Sequence, residues 1–415
     1  MFSPTAAEKT GPRAATAMLG CVLATYVIAA LGGFGLPTVL ALVAVLGCAA
    51  WSLLAVRDRR AVWMVAVVLV LLALSLGSPS DEWDPRSIWL FHARRIFVDG
   101  SLYAQLDGYA RWSHNDYPTL LPLLSATAAR LVGHWNELFP KAVGTLLLLP
   151  ALLLIARSLH AWWVAGLFAV VTLRVGGTYL ADGYMDALLA VYAVASLATL
   201  SQCRSSASGS ARSALLPYVL VTATLALIKN EGLVLAVLVA VAGMLAFTLH
   251  DRRVPWALAA ALVVALLPAL AWKLAVAHAQ LGNDLAGSDL KGQLLARLPE
   301  LSNSVLILKK LLRGWALLPL LVLLVVWRRT WRSPAVLAGA LAAVAYAGVL
   351  YAVYLGSPHD LDWHLSASVR RTVLPVNLLL MYALLVVIDQ WRGHGRAAGA
   401  VVRSAAGGAT PRPAC

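Results

Sequence analysis

Asp81, Glu82 and Asp84 stand in the stretch SPSDEWDPRSIWLFHARR, directly after seventeen almost wholly apolar residues, AVWMVAVVLVLLALSLG. Three carboxylates at the end of an apolar run can take a proton from a hydroxyl, hold a cation, or simply face water. Other groups with chemical potential recur between apolar runs. Asp182 and Asp186 are four apart in ADGYMDALLA, the spacing of a shared helical face, and Asp186 opens the next run, where a carboxylate also suits the helix dipole. Lys229 and Glu231 sit in IKNEG, between two apolar runs, where they mark a hairpin tip or, for Lys229, a place for a phosphate. Arg370 and Arg371 abut the last run in WHLSASVRR, and a fork of guanidinium donors there suits bidentate phosphate binding. His114, Asp116 and Tyr117 lie in SHNDYP, by composition a polar turn before Pro118. His364 joins His92, His114 and His359 among the histidines between runs, with no HExxH or other tight ligand spacing.

The elements that must position these groups are apolar helices. Of the 415 residues 61% are hydrophobic and only 13% charged, too little polar surface to cover a soluble globule of that size. The net charge of +14 comes from short Lys and Arg clusters between apolar runs, with no nucleic-acid motif, so no nucleic-acid partner is expected. Cys21, Cys48, Cys203 and Cys415 form no CxxC pair, and neither a disulfide framework nor a zinc site is suggested. The first apolar run follows only Lys9 and Arg13, lacks a small-residue cleavage site, and is expected to be retained.

Runs long enough to cross a bilayer, for which ~20 residues suffice, fall near 16–34, 37–56, 61–77, 140–156, 161–178, 183–200, 214–229, 231–248, 255–278, 312–327, 334–355 and 372–390. About twelve spans are therefore expected. PTLLPLLSATAARLVG, residues 118–133, is short and carries two prolines. If it lies in the interface as an amphipathic helix, the basic loops at 57–60, 204–212, 250–253 and 328–332 and the tail with Arg392 and Arg396 all fall on one side, as the positive-inside rule asks. Both termini are then cytoplasmic. Of the 19 acidic residues only Glu8, Asp58, Asp251 and Asp389 share that side. The rest face outward, in a long loop over 78–139, the turn with Asp182, the loop 279–311 and the stretch before the last span.

This order of motifs resembles the GT-C superfamily of integral-membrane glycosyltransferases, which includes protein O-mannosyltransferases and the lipid A aminoarabinose transferase. DEWD, HNDYPTLLPLL, GYMDALLAVY and KNEG carry the resemblance over residues 61–250, and WHLSASVRR is similar to a pattern that some bacterial members place before their last helix. Two helices precede the family's usual first span, and no soluble outer domain is expected after the last. The resemblance implies a polyprenyl-phosphate-linked sugar as donor, an outer-loop acid as base, a second acid that orients donor or acceptor or holds a metal, and an active-site rim at His114, Asp116 and Tyr117. No cofactor is called for by any motif, although the acids could take a divalent cation.

Among the three acids the resemblance favours Asp84, because the family's acid precedes a surface helix and PRSIWLFHARRIF has the mixed period of one. Pro85 at a first helical position also makes Asp84 a natural N-cap, so its carboxylate has a purely structural use available.

The expected protein is an all-α, polytopic, GT-C-like membrane protein of the bacterial inner membrane. It divides into an N-terminal hairpin (1–60), a core module (61–250), C-terminal helices (251–390) and a disordered cytoplasmic tail (391–415). It would transfer a hexose or pentose, with inversion, from the lipid phosphate to a hydroxyl of a glycan, lipid or protein on the outer face. The alternative is a transporter or lipid flippase, which would place broken or polar helices at mid-membrane.

Overall fold

Apolar runs of these lengths must satisfy their backbone internally, and in the computed structural model they do so as helices. Residues 6–104, 106, 110–205, 211–282, 290–312 and 315–406 are described, and among them there is no strand. The helices are α1 (Ala6–Ala30), α2 (Leu36–Leu54), α3 (Arg59–Gly77), α4 (Phe91–Asp99), α5 (Leu120–Val132), α6 (Leu138–Leu146), α7 (Leu148–Ser158), α8 (Trp162–Gly176), α9 (Asp186–Ser205) and α10 (Ala211–Ile228). They continue as α11 (Asn230–Asp251), α12 (Trp256–His278), α13 (Leu290–Arg297), α14 (Leu301–Leu311), α15 (Leu317–Val325), α16 (Trp327–Arg332), α17 (Pro334–Leu355), α18 (Leu361–Thr372) and α19 (Leu374–Ala406).

Ten segments of the described residues are long and apolar enough to span a membrane, and Leu215–Ile228 is a shorter apolar helix between two of them. The protein is a multi-pass membrane protein. The run at 312–327 does not form one spanning helix; α15 ends at Val325 and α16 follows a break at Val326. α19 continues to Ala406, so the tail expected to be disordered from 391 begins as helix, in keeping with its alanine-rich sequence, and 407–415 lie outside the described residues.

α9 is the axis of the bundle. Met185 to Leu200 are buried without a break, as a helix apolar on every side requires, and α7, α10, α11, α17 and α19 surround it. α2 and α12 leave whole apolar faces bare, including Leu36, Leu40 and Val43 on one and Val263, Leu267, Leu270 and Leu274 on the other. Those faces suit lipid rather than water.

The 118–133 segment forms α5, too short to span at ~1.5 Å per residue. It does not lie on a surface, however. Leu120 to Ala129 are all buried, because α1, α2, α4 and α6 close over it.

Candidate active site

α9 runs from Asp186 at one end of the bundle to Arg204 at the other, a separation of roughly 27 Å at 1.5 Å per residue, close to the hydrocarbon thickness. Most of the sequence-selected residues gather at the Asp186 end.

The first group is built where the chain leaves α3. Residues 78–84 run against the turn before α9: the Ser80 hydroxyl donates to the Asp182 carbonyl at 2.8 Å, and the Tyr184 hydroxyl donates to Glu82 Oε2 at 3.1 Å. Gly183, at φ +90°, makes this possible, since a Cβ there would meet the Lys141 and Pro85 side chains at 3.1 and 3.3 Å. The same glycine keeps Asp182 out of the helix. Asp182 and Asp186 therefore do not share a helical face; only Asp186 belongs to α9. Asp84 is buried, 8% exposed, while Asp81 and Glu82 are exposed.

Asp84 directly precedes a π-helical turn, Pro85–Leu90, but its backbone is already helical and its carboxylate makes no capping bond. The carboxylate pairs instead with the Arg371 guanidinium of α18, and that guanidinium also lies over the Tyr184 ring, 5.6 Å from its centroid. The N-cap role open to Asp84 in the sequence is thus replaced by a tertiary ion pair.

The second group lies deeper. The link between α10 and α11 is a single extended residue, Lys229. Gly232 allows the two helices to meet so closely, because a Cβ there would sit 2.0 Å from the Leu225 carbonyl oxygen. Lys229 Nζ lies 3.0 Å from Asp186 Oδ1 and 3.1 Å from Glu231 Oε1. Burial works against its charge, but Asp186 and then Glu231 outweigh it and hold the ammonium well above the ordinary lysine range. Glu231 Oε2 is buried and has no hydrogen-bond partner among the described residues.

Asn230, next in the chain, donates to Asp116 Oδ2 at 2.6 Å and accepts from Lys273 Nζ of α12 at 2.5 Å, while Trp272 Nε1 donates to the Asp116 carbonyl at 3.1 Å. The SHNDYP loop is thereby sewn to α11 and α12. His114 turns the loop in the left-handed region, φ +52°, so that the Tyr117 amide donates to its carbonyl at 3.0 Å. The Tyr117 ring then stacks between His114, 4.8 Å away, and Trp89, 5.6 Å away, with Lys229 Nζ 5.5 Å from its centroid. Burial pushes the Tyr117 hydroxyl well up, so it stays protonated and can donate.

His92 ties this loop to α4. Its Nε2 donates to the Ser113 carbonyl at 2.8 Å, and burial lowers its pKa from 6.5 to about 4, so the ring is neutral near pH 7.

Two sequence-selected residues stand apart. His364 Nδ1 is 2.7 Å from the Ser357 hydroxyl, and its ring edges onto Tyr354 at 4.9 Å, in a separate cluster where α17 meets α18. Arg370 lines its own cavity of about 330 Å³, with Lys310, Trp315 and Asn377. Arg370 and Arg371 are thus not one fork. Among the described residues no three His, Cys, Asp or Glu side chains come together as a metal site would need.

Lys273, Asn230, Tyr184 and Trp272 complete the site but were not selected from the sequence. Lys273 had a usable signal: it is the sole Lys, Arg, Asp or Glu in α12, and a lone charge in an apolar helix marks a partnered or functional position.

The sequence matches no protein-family model and no curated protein. Among solved structures it is similar to the crystal structure of ArnT from Cupriavidus metallidurans bound to undecaprenyl phosphate, with TM-score 0.52 and 18% identity over 83% of this chain. The chain spans 63% of the length of that protein. The likeness shows the fold: this chain is a polytopic helical bundle built as in that structure.

Proposed function

We propose that the protein is a membrane glycosyltransferase that moves one sugar from a polyprenyl phosphate to an acceptor hydroxyl, with inversion. The observation that carries this reading is the half-buried Asp84–Arg371 pair just beyond the point where the chain leaves α3. A lipid-linked phosphate rests at headgroup depth because its tail must stay in hydrocarbon, and this is the depth at which α3 ends. There the donor phosphate would compete with Asp84 for Arg371.

The exchange supplies both halves of the reaction. The guanidinium moves onto the phosphate, which is the leaving group and needs cationic donors rather than a proton. Asp84, released, accepts the proton of the acceptor hydroxyl as its oxygen bonds to the anomeric carbon and the carbon–oxygen bond to phosphate breaks. The electron pair of that bond stays on the phosphate. A single displacement with one base inverts the anomeric centre. Lys229, pinned between Asp186 and Glu231, fixes the wall of the site, and the sugar would lie against Tyr117, Tyr184 and Asp116.

The positive-inside pattern supports an active site on the outer face of the bacterial inner membrane, with both termini cytoplasmic. Polyprenyl-phosphate sugar and a glycan, lipid or protein hydroxyl are the partners proposed. The ion pairs Asp58–Arg60, Arg204–Asp251 and His160–Asp389 all lie at the opposite, basic end, which accords with this sidedness. The test is to incubate purified protein with a panel of polyprenyl-phosphate sugars and measure donor consumption and release of free polyprenyl phosphate. Absence of both across hexoses and pentoses, with acceptor glycans, lipids and peptides supplied, sinks the reading.

A further inference from the structure

Next to the candidate active site lies a cavity of about 330 Å³ that the proposed reaction does not use. The end of α8, the end of α14, the residue Trp315 ahead of α15, α18 and the first turn of α19 enclose it. Adjacent residues of a helix point about 100° apart, so Arg371 of α18 meets Asp84 while Arg370 lines this separate space.

The charge of the lining has one sign. Lys310, half-buried, and Arg370, exposed, both belong to it, no Asp or Glu does, and among the described residues neither cation forms an ion pair. The Ser366 hydroxyl, also in the wall, already donates to the Trp363 carbonyl at 2.9 Å and supplies no further proton. The cavity therefore offers two uncompensated cations to an anion.

Asn377 is a second and independent sign of a ligand. It is the one amide in the apolar run from Leu374 to Ile388, it lines the cavity, and it is only 5% exposed. Its Oδ1 is buried and has no hydrogen-bond partner among the described residues. A buried amide oxygen left in that state costs free energy, and the partner it calls for is a hydrogen-bond donor. A hydroxyl on the bound anion would meet that need.

The surroundings give the ligand a tail. Trp315, 42% exposed, stands at the cavity as tryptophans do at a membrane interface, and α15 continues from it with Leu318, Leu321 and Leu324 all exposed. At ~1.5 Å per residue, the nine residues of α15 lay roughly 13 Å of apolar surface beside the cavity. That surface suits an acyl chain.

We propose that this cavity holds the headgroup of an anionic phospholipid that carries a hydroxyl, of the phosphatidylglycerol kind. Its phosphate lies on Lys310 and Arg370, its hydroxyl bonds the Asn377 amide, and its acyl chain runs along α15. The proposal does not depend on glycosyl transfer, and its test measures no turnover.

The full-length protein is placed in phosphatidylcholine nanodiscs containing phosphatidylglycerol or phosphatidylmethanol, which has the same charge and no headgroup hydroxyl. Native mass spectrometry counts the lipid retained as each is titrated. Phosphatidylglycerol should bind about three- to tenfold more tightly, the worth of one hydrogen bond. Asn377→Leu, which keeps the side-chain volume, should erase that preference. Lys310→Gln combined with Arg370→Gln, at positions outside the core, should weaken both lipids by about tenfold or more. If Asn377→Leu does not fold, the wild-type preference and the charge variant still decide. Equal binding of the two lipids, a preference that survives Asn377→Leu, or binding indifferent to the loss of both cations overturns the proposal. One-for-one displacement of phosphatidylglycerol by a polyprenyl phosphate also overturns it, by giving the cavity to the sugar donor.

Discussion

Two charge clusters share one end of the bundle and are built differently. Lys229 has carboxylates on two sides, Glu231 two residues on in the same hairpin and Asp186 at the start of α9, 43 positions earlier. Asp84 has one cationic partner, Arg371, brought from 287 positions away in the chain. The deep cluster joins the start of α9 to the α10–α11 hairpin, elements at the centre of the bundle that cannot separate without unfolding it. The shallower pair joins the start of an outer loop to a different helix, and either partner can be claimed by a ligand. The difference teaches where to look for fold and where to look for chemistry: a charge enclosed by two opposite charges holds structure, whereas a single pair at the membrane surface can exchange.

The largest effect expected from that contrast is on turnover. Asp84→Asn keeps an oxygen for Arg371 and the side-chain volume but cannot accept a proton, so donor consumption should fall ~100- to 10,000-fold with the unfolding temperature little changed. Asp81→Asn and Glu82→Gln, at exposed positions, should cost less. Full activity in all three variants would remove the outer-loop acids from catalysis.

The deep cluster should respond in the opposite currency. Lys229→Met leaves Asp186 and Glu231 buried without their cation and should lower stability by about 3–5 kcal/mol, measured by thermal or denaturant unfolding in detergent. If Lys229→Met is as stable as wild type while Arg371→Ala unfolds, the roles of the two clusters are reversed.

A third test uses pH. His92, which ties the SHNDYP loop to α4, has a folded pKa near 4 against an ordinary 6.5 because burial disfavours its cation. Its folded value is the lower one, so the unfolded chain binds the proton first. Stability is intact above about pH 6.5 and declines as pH falls toward 4, by up to about 3 kcal/mol. His92→Gln should flatten that part of the stability profile; an unchanged slope would show that the loop is held independently of His92.

The smallest effect separates the two arginines. Arg371→Ala should weaken donor binding by about 1–3 kcal/mol and Arg371→Lys should recover little, since a point charge does not reproduce the fork. Arg370→Ala, whose side chain lines another cavity, should change donor affinity less. Equal losses at both positions would restore the single clamp expected from the sequence. Isothermal titration with a polyprenyl phosphate reads this directly.

The sequence by itself determined the class of the protein, because apolar runs of bilayer length can satisfy their backbone only as helices or closed barrels, and these runs have helical length. It also left 118–133 as either a short span or a surface helix, with the positive-inside pattern favouring the second, and it placed the acids and the KNEG tip between apolar runs. The sequence did not mark Gly183 or Gly232 as closures; only their neighbours did, the Lys141 and Pro85 side chains in one case and the Leu225 carbonyl in the other.

The tertiary structure alone decided which charges meet. Adjacent residues on an α-helix point about 100° apart, so Arg370 and Arg371 could never be read as one fork once α18 was helical through both, and its rotation selected Arg371 for Asp84. Lys273 sits in an apolar helix where sequence shows a lone charge but no partner, and the rotation of α12 turned it onto Asn230. α5 was legible as a short helix but not as a buried one, because burial on every side depends on four other helices closing over it. Apolar runs specify where helices begin and end; helix rotation and packing, set by contacts far apart in the chain, specify which side chains face each other.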